Sequence, residues 1–344
     1  HVGYDRLPSR VLPAPPRAEH DLVRQKELAV AQRLVDLGYR EIKMTSMMDP
    51  AESALFSELP SVALVNPLSQ EASSLRTSAI PSMLAALKWN LDRDCEDMRF
   101  FEMGKLYWKS SDGPRERRVL ALGLAGHRRV ETVHDAAREL DVFDLKGDLE
   151  ALLEIFDIED LSFRSLSAGG GDGGELTAGK PGPFEASEGR RATIGLNGEF
   201  LGGQSVLAAF GRLAEGVRED YKLRRPVWVA EINFERLLEF SMRSRSFHTF
   251  SKYPAVERDF SLRVPERVNF ATITRALQRL NLPELLRVKP VDLFQGGMTG
   301  PQNYSLLLRA TFQSDDHTLS GEEISAASQE LLAVLLPLGI QLRS

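Results

Sequence analysis

Between residues 259 and 343 the apolar positions change period in a regular order. In "DFSLRVP", Phe260, Leu262 and Val264 alternate with Ser261 and Arg263, the period of two that gives a strand one covered face. "NFATITRALQRLN" switches to helical spacing, and the strands "RVKPVDLFQG" and "NYSLLLRATFQS" follow. The helix "SGEEISAASQELLAVLL" and a last strand, "GIQLR", complete the set. Strand-helix-strand-strand-helix-strand is the split βαβ order of a ferredoxin-like sandwich. Each helix carries one apolar stripe, so both cover the same sheet face and the other face stays open.

The first 240 residues are less regular. "DRLPSRVLPAPPR" is proline-rich and reads as an extended connector. A helix is expected from about Glu19 to Leu37, on Leu22, Leu28, Val30, Leu34 and Leu37, stopped by Gly38. Short strands fit "REIKMTS" and "SVALV", and a helix over Pro81 to Leu91 follows, with proline in its first turn where no donor is lost. "MRFFEMGKLYW" and "RVLALGLAG" are strand-like, and "DVFDLKGDLEALLEIF" is an amphipathic helix with Leu145, Leu149, Leu152 and Phe156 on one side. After a glycine-rich loop come strands near "RRATIGL" and "VWVAEIN" and helices near "SVLAAFGRLAEG" and "FERLLEF". Without βαβ alternation this predicts an α+β fold, a mixed or antiparallel sheet backed by helices. "SMRSRSFHTF", polar and aperiodic, is the expected linker to the sandwich.

At 344 residues the chain is long enough for two domains. Its longest apolar runs are too short to span a bilayer, and its one cysteine, Cys95, fits a reducing cytoplasm. The start at His1, without methionine, suggests a piece of a longer polypeptide. Net charge is −6, which argues against a surface coated with nucleic acid, but the charge is uneven. Residues 1–240 carry 31 basic and 39 acidic side chains, and residues 241–344 carry 12 and 10. Any RNA-facing surface is expected in the last hundred residues.

Three catalytic-looking signals dissolve on inspection. "GGGDGG" matches a dinucleotide pattern through Gly169, Gly171 and Gly174, yet no helix follows to meet a pyrophosphate. "GELTAGKP" has phosphate-loop spacing from Gly174 to Lys180, but Pro181 stands where Ser or Thr must hold magnesium. Asp144 and Asp148 are one helical turn apart and are read as capping groups rather than paired catalytic acids. The six histidines have no ligand spacing, so no metal site and no self-sufficient active site are expected.

"NPLSQEASSLRTSAIPSML", "RFFEMGKLYW", "FDLKGDLEALL" and "SKYPAVERDFSLRV", with "LFQG" and "ATFQSDDHTLSGEEI", occur in that order. Together they closely resemble the C-terminal half of the bacterial phenylalanine–tRNA ligase beta subunit. "GYDRLP" is similar to the tail of that subunit's preceding small domain. The resemblance implies a tail of that domain or linker over 1–16, a catalytic-like module related to class II synthetase cores over 17–245, and a ferredoxin-fold anticodon-binding domain over 246–344. It implies ATP-dependent attachment of phenylalanine to its tRNA by a cytoplasmic heterotetramer of two alpha and two beta subunits. The alpha subunits carry the chemistry, and this part supplies assembly and tRNA contacts. ATP and magnesium belong to the holoenzyme, and the family's magnesium-binding acids and editing domain would lie upstream of His1. No cofactor or metal is expected on this fragment.

Class II cores grip ATP with an Arg followed two residues on by an acid, and with a glycine-rich strand-helix motif bearing a second Arg. Here Trp108 and Ser110 fall at the first pair, and "VWVAEINFERLLEF" has no glycine, so Ala230 and Ile232 are expected to block the nucleotide. The isolated chain is therefore expected to be inactive. "LTAGKPGPFEASEGRR" replaces the family's usual Leu-His-Pro-Gly turn, and no role is assigned to that segment.

On the open sandwich face, alternation places Ser261, Arg263, Arg309 and an outward Phe294, flanked by Lys252, Tyr253 and Arg258 from the preceding loop. Cations for phosphates and an aromatic for stacking suit single-stranded RNA. Polar residues on an open sheet face, and a local Arg258–Asp259 pair, account for the same residues without a ligand. The resemblance favours tRNA. Two other readings stay open: a stand-alone RNA-binding or scaffold protein built from the same modules, and an independent adenylate-forming enzyme.

Overall fold

The computed structural model describes residues 21–129, 131–158, 161–165, 196–202, 205–244, 247, 249–268, 270–280, 282–294 and 302–343. The readings placed on 169–174, on Lys180–Pro181 and on most of "RRATIGL" lie outside these residues. The chain divides into two compact units, His1–Ser244 and Arg245–Ser344.

The first unit is built on a seven-stranded sheet. Its strands are β1 (Arg40–Glu41), β2 (Met98–Ser110), β3 (Gly113–Ala125), β4 (Leu161–Ser165), β5 (Leu196–Gly202), β6 (Ser205–Arg212) and β7 (Val227–Asn233). Their order across the sheet is β1-β2-β3-β7-β6-β5-β4. Only β1 runs parallel to its neighbour. The helices are α1 (Leu22–Asp36), α2 (Pro50–Phe56), α3 (Ile80–Leu91), α4 (Val142–Leu153), α5 (Glu215–Asp220) and α6 (Phe234–Glu239).

Both sheet faces are covered. On one, Val30 and Leu34 of α1, Leu145, Leu149 and Leu152 of α4 and Leu237 of α6 pack on Phe101, Leu122, Phe210, Ala230 and Ile232. On the other, Ile80, Met83, Leu84 and Leu87 of α3 pack on Phe100, Leu106, Ala121 and Val229. Gly38, at φ +87°, ends α1 where the sequence places its stop: its N–H donates to the Val35 carbonyl at 2.9 Å.

One element differs in kind from its sequence reading. "SVLAAFGRLAEG" forms strand β6 followed by α5, rather than a helix. Its Leu207–Phe210 run lies in mid-sheet with Leu207, Ala208 and Phe210 in one core and Ala209 in the other. A strand buried on both sides shows a continuous apolar run, which period alone does not separate from a buried helix.

The second unit contains β8 (Val256–Pro265), α7 (Phe270–Gln278), β9 (Leu285–Phe294), β10 (Asn303–Phe312), α8 (Gly321–Leu335) and β11 (Gln341–Leu342). The antiparallel order is β9-β10-β8-β11, and the succession of elements is the one legible in the sequence. Ile273 and Leu277 of α7 and Ile324, Ala327, Leu331 and Leu335 of α8 share one core with Phe260, Leu262, Val264, Leu306, Leu308 and Phe312. Both helices therefore cover the same sheet face. β9 is an edge strand, broken by register shifts at Leu285/Arg287 and at Pro290/Asp292.

Candidate nucleic-acid interface

The uncovered face of the second unit is read from strand register. Directly paired residues share a face, and four rows cross the sheet. Phe294 is opposite Ser305, Ser305 opposite Arg263, and Arg263 opposite Gln341. Next come Asp292, Leu307 and Ser261, then Lys289, Arg309 and Asp259, then Arg287, Thr311 and Glu257. Phe294 is 52% exposed and Ser305 only 8%, so the first row is a small floor between an aromatic ring and a cation. The backbones of Phe294 and Arg263 are about 10 Å apart, twice the strand spacing.

Arg309 is not available as the sequence suggests. Its Nε and Nη2 donate to the two carboxylate oxygens of Asp259 at 2.6 and 2.7 Å, and its Nη1 lies 3.3 Å from Glu257. The Asp259 partner is thus Arg309 across the strands, not its neighbour Arg258. The hydrogen bond from Arg309 holds the Asp259 carboxyl below its ordinary value. Arg258 lies inside β8, opposite Ala310, on the alternation of Phe260 and Leu262. It therefore belongs to the helix-side face and does not flank Arg263.

Lys252 is exposed and Tyr253 half-buried, ahead of Val256. The Tyr253 carbonyl accepts from Gln313 at 2.7 Å, beyond the far end of β10 from Ser305. Seven residues of extended chain, about 23 Å, separate Val256 from Arg263. Of the seven expected residues, the fold unites Ser261, Arg263, Phe294 and Arg309. It sets Lys252 and Tyr253 toward the opposite end. Lys289, Arg287 and Gln341 join the face unannounced. The shift at Pro290 reverses the alternation of β9, so a strict period of two through 287–294 misplaces the two cations.

In the first unit, the even-numbered positions of β2 turn toward α3. Arg76 and Glu102 form a bidentate pair at 2.9 and 2.9 Å with about 1% of either residue exposed. Arg76 Nε also donates to the Lys105 carbonyl at 3.0 Å. A Cβ on Gly104 would lie 2.1 Å from Arg76 Nη2, so this glycine is the seat of the guanidinium. Likewise a Cβ on Gly123 would lie 2.4 Å from Met83 Cγ, letting α3 rest directly on the sheet. The start of α3 has no side-chain cap of its own. Buried Glu231 of β7 serves instead, accepting from the Ala79 N–H at 2.6 Å and Ser78 Oγ at 2.7 Å, a carboxylate at a helix N-terminus.

Trp108 shares this face, with the Arg117 guanidinium of the adjacent strand 5.6 Å from its ring centre. Ser110 sits at the hairpin end, opposite Gly113. Ala230 and Ile232 belong to the other core, because alternation turns Val229 and Glu231 toward α3. The side chains on the α3 side of β7 are thus Val227, Val229 and Glu231, while Ala230 and Ile232 fill the opposite side. Arg236, the cation of the strand-helix segment, pairs with Glu239 on the surface.

Asp144 closes the capping box of α4 with Asp141, as its position suggests. Asp148 does not cap. It is buried, accepting from Tyr39 Oη at 2.9 Å and Arg99 Nη1 at 2.6 Å, and burial pushes its carboxyl up against the pull of Arg99.

A split βαβ sandwich with one bare face bearing cations and an aromatic defines an α+β protein of the ferredoxin-like class, and residues 251–343 match the ferredoxin-fold anticodon binding domain. Residues 7–234 match the phenylalanyl tRNA synthetase beta chain CLM domain, and the chain belongs to that beta-chain family. It is 27% identical over 351 residues to the phenylalanine–tRNA ligase beta subunit of Geobacter sulfurreducens, covering 99% of this chain and 41% of that protein. The Salinibacter ruber beta subunit is 28% identical over 342 residues, covering 94% and 39%. The chain spans about two fifths of the length of these relatives. Among solved structures, pyrrolysyl-tRNA synthetase from Desulfitobacterium hafniense superposes with a TM-score of 0.44 at 16% identity, over 63% of this chain and 68% of that one.

Proposed function

We propose that this chain is the part of a phenylalanine–tRNA ligase beta subunit that binds tRNA through its second unit and docks alpha subunits through its first. The reaction served is ATP-dependent attachment of phenylalanine to tRNA in the cytoplasm, by an assembly of two alpha and two beta subunits whose chemistry lies on alpha. The observation that carries this reading is the bare face with exposed Phe294 and Arg263, on the unit that matches an anticodon-binding domain. An aromatic ring offers any base a stacking surface, and a neighbouring guanidinium offers its phosphate a charge-assisted partner.

The first unit supports a holding role. On the α3 side of the sheet, Met83 fills the hollow over Gly123 and the Arg76–Glu102 pair fills the one over Gly104, so the bare main chain there is already covered. Glycines covered in this way offer a ligand no open backbone, and no reaction step is assigned to this unit. In the assembled enzyme, Arg263→Glu or Phe294→Ala is expected to weaken tRNA binding about tenfold while leaving adenylate formation intact. Unchanged tRNA affinity in both folded variants counts against this face. Co-elution of the chain with alpha subunit tests assembly, and robust pyrophosphate exchange by the chain alone would refute the inert first unit.

A further inference from the structure

The two ends of the bare face differ in how their charges are satisfied. At one end Arg263, exposed, has no ion-pair partner within 4 Å among the described residues, and faces Phe294 across buried Ser305. At the other, register brings Arg287, Lys289 and Arg309 together on neighbouring strands. Three cations on neighbouring strands would attract any phosphate backbone, whatever its sequence. That patch is countered from within the sheet. Glu257 and Asp259 stand on β8 beside it, and Asp259 occupies both outward donors of Arg309 in a fork-to-fork pair.

We propose that Glu257 and Asp259 act as an electrostatic stop, restraining sequence-independent RNA binding by the Arg287–Lys289–Arg309 patch and leaving productive contacts to the Arg263–Phe294 end. This rests on the tRNA-binding reading above. Discrimination between partners is a difference of affinities, and weakening the attraction common to all RNA widens that difference. The hydrogen bonds from Arg309 hold the Asp259 carboxyl below its ordinary value. The pair lies on the surface, so its removal costs little stability, and its effect is on the ligand.

The test uses the full chain, with fluorescence anisotropy on phenylalanine tRNA and on oligouridylate across a salt series. Thermal melting checks that each variant folds. Asp259→Asn combined with Glu257→Gln is expected to tighten oligouridylate binding about fivefold at low salt, and to steepen its salt dependence by about 0.7 for each phosphate newly engaged. The tRNA should gain less, so the ratio between the two ligands falls. Adding Arg309→Gln to Asp259→Asn removes the unmasked cation together with its acid, and should return oligouridylate affinity to within about twofold of the starting protein. Unchanged oligouridylate binding in the acid variants, with Arg263→Gln still weakening tRNA, overturns the stop and leaves the tRNA reading standing. An equal gain for both ligands, or a gain that persists after Arg309→Gln, overturns it too. Failure of the unaltered chain to bind tRNA at all removes both.

Discussion

Arg76 and Glu102 meet almost without access to water, and neither position announces this in the sequence. An arginine after "SSL" and a glutamate in "RFFEMG" read as ordinary surface residues until α3 folds back over β2. Removing one partner strands a buried charge, which costs more than the pair contributes. Arg76→Met is expected to lower the unfolding free energy of the first unit by about 3–5 kcal/mol in urea titration. Adding Glu102→Leu should restore most of that, because two apolar residues leave no charge behind. Loss of the same amount in both variants would show that packing, rather than charge, sets the cost. Arg309 teaches the same lesson on the surface: its type and exposure were readable, but its clamp by Asp259 follows only from pairing between strands fifty residues apart.

Elements were legible where one period governed them. The second unit's strands and helices followed from alternation and stripes, and α8 even carries its start signal in the letters Ser-Gly-Glu-Glu. Ser320 and Glu323 close a capping box there, with His317 Nε2 at 2.8 Å from the Glu323 carboxylate. The Ser320 N–H foremost, then His317, bring the Glu323 carboxyl from 4.5 down to about 2. A carboxylate whose folded value is depressed stabilises above its unfolded value and loses that contribution as pH falls. The melting-temperature gap between the unaltered protein and Glu323→Gln should therefore be full at neutral pH, shrink below about 4.5 and vanish near about 2. A gap independent of pH would exclude the ionised cap. β6 was illegible for the opposite reason: buried on both sides, it lost the alternation that marks a strand. Register shifts hid half of β9, since an extra residue turns the rest of the strand over.

At the scale of the molecule, each unit has its own core among the described residues. Residues 249–343 expressed alone should unfold in a single cooperative transition with dispersed amide resonances. A molten, ANS-binding product would mean that the sandwich depends on the rest of the chain. The order of motifs carried the family assignment, because several modest segments in fixed succession are far more specific than any one of them. What remained hidden was the balance of charge on the bare face, which is a property of neighbours rather than of letters.

Pro290 lies in the outermost strand of the sandwich, beside Lys289 and at a break in register. A ring nitrogen donates nothing to an incoming chain, and a kinked, charged rim gives a second copy no straight template to extend. The sheet can thus keep one face open without its rim recruiting a second copy strand by strand.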